Sequence, residues 1–150
     1  MRYLAIFAFF ACIMATLSFK ILYKDCGSKL GKIDEVDVFP CNHYEGCILQ
    51  KGKDYTINVT FSLTKPVVDA KVVVHGIISF IPIPFPVQPN DACVNSGLKC
   101  PLNANIKYRY TATLPVKTDY PSVKLIVKWE LQDDKTKDDL FCFEAPLKIV

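Results

Sequence analysis

Apolar and polar residues alternate without a break from Tyr55 to Thr64. Tyr55, Ile57, Val59, Phe61 and Leu63 take one parity, and Thr56, Asn58, Thr60, Ser62 and Thr64 the other. A period of two belongs to a strand with one buried and one wet face, and it puts Asn58 on the wet one. The same period predicts inward sets of Ile106, Tyr108, Tyr110, Ala112 and Leu114; of Val123, Leu125, Val127, Trp129 and Leu131; and of Phe141, Phe143, Ala145, Leu147 and Ile149. A further strand is expected over 70–80, apolar on both faces, with shorter ones over 32–39 and around Ile48. No stretch carries a helical period. About seven short antiparallel strands separated by turn signals predict an all-β, immunoglobulin-like β-sandwich of two antiparallel sheets.

One segment breaks the pattern. Residues 80–89 read FIPIPFPVQP, with prolines at 82, 84, 86 and 89. Proline has no N–H for a sheet, so a central strand is excluded, yet Ile81, Ile83, Phe85 and Val87 keep strand spacing on one face. The expectation is an edge denied regular pairing, beside which the two sheets splay and leave an apolar cavity between them. Such a cavity suits a lipid. On this reading Ile83, Val87, Leu125 and Trp129 join the lining.

The start of the chain, MRYLAIFAFFACIMATLS, has one charge at Arg2, an apolar run and small residues at its close. That layout predicts a signal peptide over 1–18 and one domain over 19–150, made for a secretory compartment. Without Arg2 the charge is 17 basic minus 15 acidic residues, or +2, which gives no footprint for nucleic acid. Cys12 leaves with the signal, so six cysteines remain and imply three disulfides. Cys41/Cys47 and Cys93/Cys100 each bracket a short polar turn, which leaves Cys26 to meet Cys142. The sequon Asn58-Val59-Thr60 is a candidate glycosylation site.

Catalytic and metal chemistry find no support in the spacing. His75 sits in a strand without a nucleophile partner, and His43 lies between Cys41 and Cys47, where a disulfide outweighs zinc. No serine elbow or phosphate-cradling glycine loop occurs, and no metal or cofactor is expected.

Seven segments then carry a resemblance: 25–28 DCGS, 58–60 NVT, 74–77 VHGI, 82–86 PIPFP, 114–117 LPVK, 120–122 YPS and 131–135 LQDDK. Together with the six cysteines they make the chain resemble the ML (lipid-recognition) domain family, most of all its lysosomal sterol-transfer branch. The resemblance implies the same disulfide pairing and a tunnel between the sheets that takes a sterol. It also implies that Phe85, Val116 and Tyr120 line this site, and that Asn58 carries a glycan used for sorting to lysosomes. The implied partner is the luminal domain of a membrane sterol transporter, reached by a monomer with transient contact at a membrane surface. Phe143 stands where this branch carries Trp, so fatty acids remain an alternative cargo. A secreted carrier of hydrophobic semiochemicals and a lipid-recognition module of innate immunity are the other readings. A basic rim of Lys117, Lys124 and Lys128 would favour the last.

Overall fold

The computed structural model describes residues 19–41 and 45–150. The expected signal segment 1–18 and His43 therefore lie outside the described residues. Ten strands follow in chain order: β1 (Phe19–Lys20), β2 (Lys24–Asp25), β3 (Gly31–Phe39), β4 (Cys47–Leu49), β5 (Lys53–Leu63), β6 (Ala70–Ile78), β7 (Ile81–Phe85), β8 (Lys107–Val116), β9 (Val123–Asp133) and β10 (Asp139–Ile149). Seven of them, β3 and β5 to β10, have five residues or more, which matches the alternation. One sheet runs β1-β3-β5-β8 and the other β2-β10-β9-β6-β7. Neighbours pair antiparallel, except that β4 joins β10 in parallel. The all-β sandwich expected from the period is the observed fold.

The inward parities meet between the sheets as foreseen, and they do so unevenly. At one end aromatic rings fill the space. Phe61 meets Phe141 at 5.0 Å, and Tyr110 meets Phe141 at 6.0 Å and Trp129 at 6.3 Å, at edge-on or tilted angles that suit ring quadrupoles. All four side chains are buried. Toward the other end the same strands carry smaller residues: Ile57 in β5, Leu114 in β8, Val127 in β9 and Leu147 in β10. Tyr55 of β5 and Phe143 of β10 are the bulky residues at this end. The aromatic end is tightly filled, and the other end keeps a small residual cavity.

Three disulfides join Cys26–Cys142, Cys41–Cys47 and Cys93–Cys100, with Cα separations of 5.0, 5.4 and 5.7 Å. These separations are ordinary for the bond. The first closes a loop of 116 residues, worth about 4–5 kcal/mol in the chain-entropy account.

The proline segment corrects the sequence reading. It is paired after all: β7 lies in antiparallel register with β6 from Val74↔Phe85 to Ile78↔Ile81. Pro82 and Pro84 share one parity, which in an edge strand is the parity whose N–H groups point away from the neighbour. The missing donors are therefore ones the ladder does not use. β6 ends at Ile78, and Ser79 and Phe80, with φ of 49° and 65°, make the two-residue turn. Ile106, expected inside, precedes β8 and is exposed.

Candidate functional site

β7 is the last strand of one sheet and β8 the last of the other. The inner face of β7 belongs to the core side, because Phe85 pairs with the buried Val74. Phe85 meets Tyr120, from the β8–β9 loop, edge to face at 5.7 Å and 73°. Both are half-buried and pack on the core, while Val116 at the end of β8 is buried. The three residues named by resemblance thus come from separate elements, two of them in direct contact.

Behind this contact the register lays out two rows across the sheet. One runs Phe85, Val74, Trp129 and Phe143; the next runs Ile83, Gly76, Val127 and Ala145. The first is bulky and the second holds small side chains. A Cβ built on Gly76 would lie 3.2 Å from Leu125 Cδ1, so the missing side chain is what lets Leu125 fold over this row. Of this row only Val127 reaches a small, largely enclosed cavity of about 10 Å³ between the sheets. Tyr55, Ile57 and Leu114 line it from one sheet, and Val127, Phe143 and Leu147 from the other. The Tyr55 hydroxyl accepts a hydrogen bond from the Gln50 N–H at 2.7 Å. That satisfies the one polar atom of this side chain while its ring meets the cavity.

The expected lining is redistributed by these positions. None of Phe85, Val116, Tyr120, Ile83, Val87, Leu125 or Trp129 lines this cavity. Leu125 and Val87 are half-buried against the core, and Leu125 also lines the larger groove described below. Ile83 faces the right side but is 47% exposed, because the opposite sheet does not cover it. Trp129 belongs to the filled aromatic end. The residues that do line the cavity were legible only as inward-facing. Alternation gives a face, and which inward residues back a void depends on how the two sheets superpose.

A larger groove of about 450 Å³ lies on the outer side of the β6–β9–β10 sheet, where Ile77, Phe80, Ile126 and Pro146 form its apolar part beside Lys124 and Lys148. It is open to solvent, and a lipid there would keep one side wet. The interior cavity is far smaller, and the side chains that line it are apolar apart from the Tyr55 hydroxyl.

Asn58 departs from expectation. Its side chain is on the outer face of β5 but only 8% exposed. Its Nδ2 donates to Asp37 Oδ1 at 2.8 Å and its Oδ1 accepts from Thr111 Oγ1 at 2.7 Å. Asp37 in turn lies 3.6 Å from an Arg109 guanidinium nitrogen. The parity was read correctly, but neighbouring strands cover the position. His75 lies on the outer face, opposite Lys128 and Pro84.

A two-sheet sandwich with a small apolar cavity between its sheets defines a class of small β-sandwich domains, and the sequence places the chain within it. The ML domain pattern matches residues 20–149, and the chain belongs to the ML domain family. It is 43% identical over 150 residues to NPC intracellular cholesterol transporter 2 of Bos taurus, across 99% of both chains. It is 46% identical over 130 residues to the protein of the same name in Danio rerio, across 87% of this chain and 85% of that one. The crystal structure of a Niemann-Pick type C2 protein from the Japanese carpenter ant superposes with a TM-score of 0.81, at 26% identity, over 87% of this chain and 100% of that chain.

Proposed function

We propose that the protein is a non-catalytic lipid carrier that takes one sterol between its sheets through the Phe85–Tyr120 edge. The observation that carries this reading is an apolar cavity between the sheets of a sandwich whose β7 edge carries the Phe85–Tyr120 contact. Its membership of the ML family, beside relatives named cholesterol transporters, supports the sterol as cargo. A cavity of about 10 Å³ is far below the several hundred Å³ of a small-molecule site, so binding requires that end of the sandwich to open. Burying roughly 550 Å² of sterol surface is worth about 14 kcal/mol gross. Association and opening costs leave about −8 kcal/mol, a micromolar affinity. That is tight enough to hold an insoluble lipid and loose enough to pass it on.

Delivery follows from where the edge lies. Phe80 is 98% exposed at the β6–β7 turn and Ile81 is 63% exposed beside it, on the strand that carries Phe85. An aromatic residue held at positive φ and fully in solvent is costly unless something else covers it. A membrane surface would cover it and bring the edge close to the bilayer. The reading further includes removal of residues 1–18, passage through the secretory pathway to the lysosomal lumen, a glycan on Asn58, a monomeric state, and transfer of the sterol to the luminal domain of a membrane sterol transporter. Fatty acid is the second cargo, favoured by the small cavity, because a single acyl chain asks for less opening than a ring system. Mass spectrometry of lipid extracted from the purified protein tests the proposal. Sterol supports it, fatty acid supports the second cargo, and an empty extract from protein shown to be folded contradicts both.

A further inference from the structure

Outside the lipid path, the segment that follows β2 is strapped over β10. Cys26 N–H donates to the Cys142 carbonyl, Lys29 and Leu30 N–H groups donate to the Asp139 carbonyl, and the Cys26–Cys142 disulfide locks the strap in place. In this region Glu130 is only 8% exposed although it is on the outer parity of β9. A carboxylate oxygen of Glu130, one of Asp139 and Cys142 Sγ all lie within 4.8 Å of one another. The sulfur is spent in a disulfide and is no metal thiolate, and Glu130 Oε1 touches it at 3.8 Å. Glu130 also pairs with Lys128 at 3.1 Å and accepts from Gln132 Nε2 at 3.1 Å. Asp139 Oδ1 is buried with no hydrogen-bond partner. A buried acceptor without a donor, held near a second carboxylate, is what one added proton would satisfy.

We propose that Glu130 and Asp139 form a proton-binding pair that stabilises the strapped end of the sandwich as its surroundings become acidic. Every charged neighbour is accounted for. Lys128 compensates Glu130, and it also faces Glu144 of β10 and His75 of β6. Asp138 lies in the adjoining turn and is paired with Lys29. Lys24 of β2 stands opposite Glu144, Asp25 is held by Gly27 and Ser28, and Lys71 of β6 is paired with Asp134. None of these cations forms an ion pair with Asp139, although the charge of Lys128 and a side-chain hydrogen bond from Gln132 act to lower its carboxyl against burial and Glu130.

Burial, and then the charge of Glu130, pushes the Asp139 carboxyl up to about 6 from an ordinary value of 3.8. The sign follows from linkage. The fold favours the neutral acid, so ionised Asp139 is a penalty that is present in full above about 6. It is relieved as pH falls through 6 and is gone below the unfolded-state value. Stability from this pair therefore rises on acidification, opposite to the usual carboxylate.

The test is a titration of the Asp139 carboxyl carbon by NMR in the full mature chain, with urea unfolding at pH 7.5 and 5. The expected midpoint lies near 6, and Glu130→Gln moves it down. Between those two pH values the wild-type unfolding constant is expected to fall about threefold more than that of Asp139→Asn, which is the linkage value of about tenfold reduced for solvent access. A midpoint in the ordinary carboxylate range, or no change of midpoint in Glu130→Gln, overturns the proposal. So does a parallel pH dependence in a folded Asp139→Asn.

Discussion

Phe85 and Tyr120 hold each other edge to face at the side of the sandwich where β7 and β8 are the end strands. Phe85 arrives on β7 and Tyr120 on the loop after β8, so their contact spans the gap between the two sheets. On the proposed function, a lipid entering from this edge parts the two rings.

Phe85→Ala removes one side of that contact. Sterol affinity is expected to fall about tenfold, equivalent to about 1.4 kcal/mol, while the protein stays folded with Tm lower by a few degrees. A fluorescent-sterol titration alongside thermal unfolding measures both. Unchanged affinity removes Phe85 from the path.

Gly76→Val tests the row of small side chains. The new Cβ would press on Leu125 Cδ1 at 3.2 Å, a flexible end that can yield inward. A β-branched residue suits a strand better than glycine, so Tm is expected to hold or rise while sterol binding drops about tenfold. Binding and stability falling together would point to general damage and away from a blocked path.

Phe80→Gly separates the turn from the surface it presents. Phe80 has φ of 65°, where a side chain costs about 1–2 kcal/mol and glycine costs little. The variant is expected to unfold a few degrees higher and to exchange sterol with lipid vesicles several-fold more slowly. Equal exchange rates would show that the exposed ring makes no contact with the bilayer.

Thr60→Ala destroys the sequon while leaving Asn58 bonded to Asp37 and Thr111. Protein from secretory cells is expected to lose mass on glycosidase treatment, and the variant to show no such loss. An untreated wild type already at polypeptide mass would mean that the covered Asn58 goes unmodified.

The strands and their faces were legible because a half-buried strand writes its period into the sequence, as in 55–64. Disulfides could be paired because two of the cysteine pairs are local. What the sequence concealed depends on neighbours remote in the chain. Asn58 is covered because Asp37 and Thr111 flank it from β3 and β8. Glu130 is buried where the Cys26–Cys142 disulfide, Lys128 and Gln132 lie against it. The Ser79-Phe80 turn carries neither Gly nor Asn, so no turn signal announced that 70–85 is a hairpin. The cavity wall of Ile57, Leu114, Val127 and Phe143 takes shape only when two sheets are laid together.

The chain's single tryptophan, Trp129, adjoins the proposed path on the buried face of β9, and that makes it an internal gauge. A sterol with a conjugated triene absorbs where tryptophan emits, so its arrival between the sheets can be read as energy transfer. Titration of lipid-stripped protein is expected to quench Trp129 and raise sterol emission, to saturate at one sterol per chain, and to reverse on addition of cholesterol. No transfer at saturating sterol, or transfer that cholesterol cannot compete away, would contradict a sterol held between the sheets.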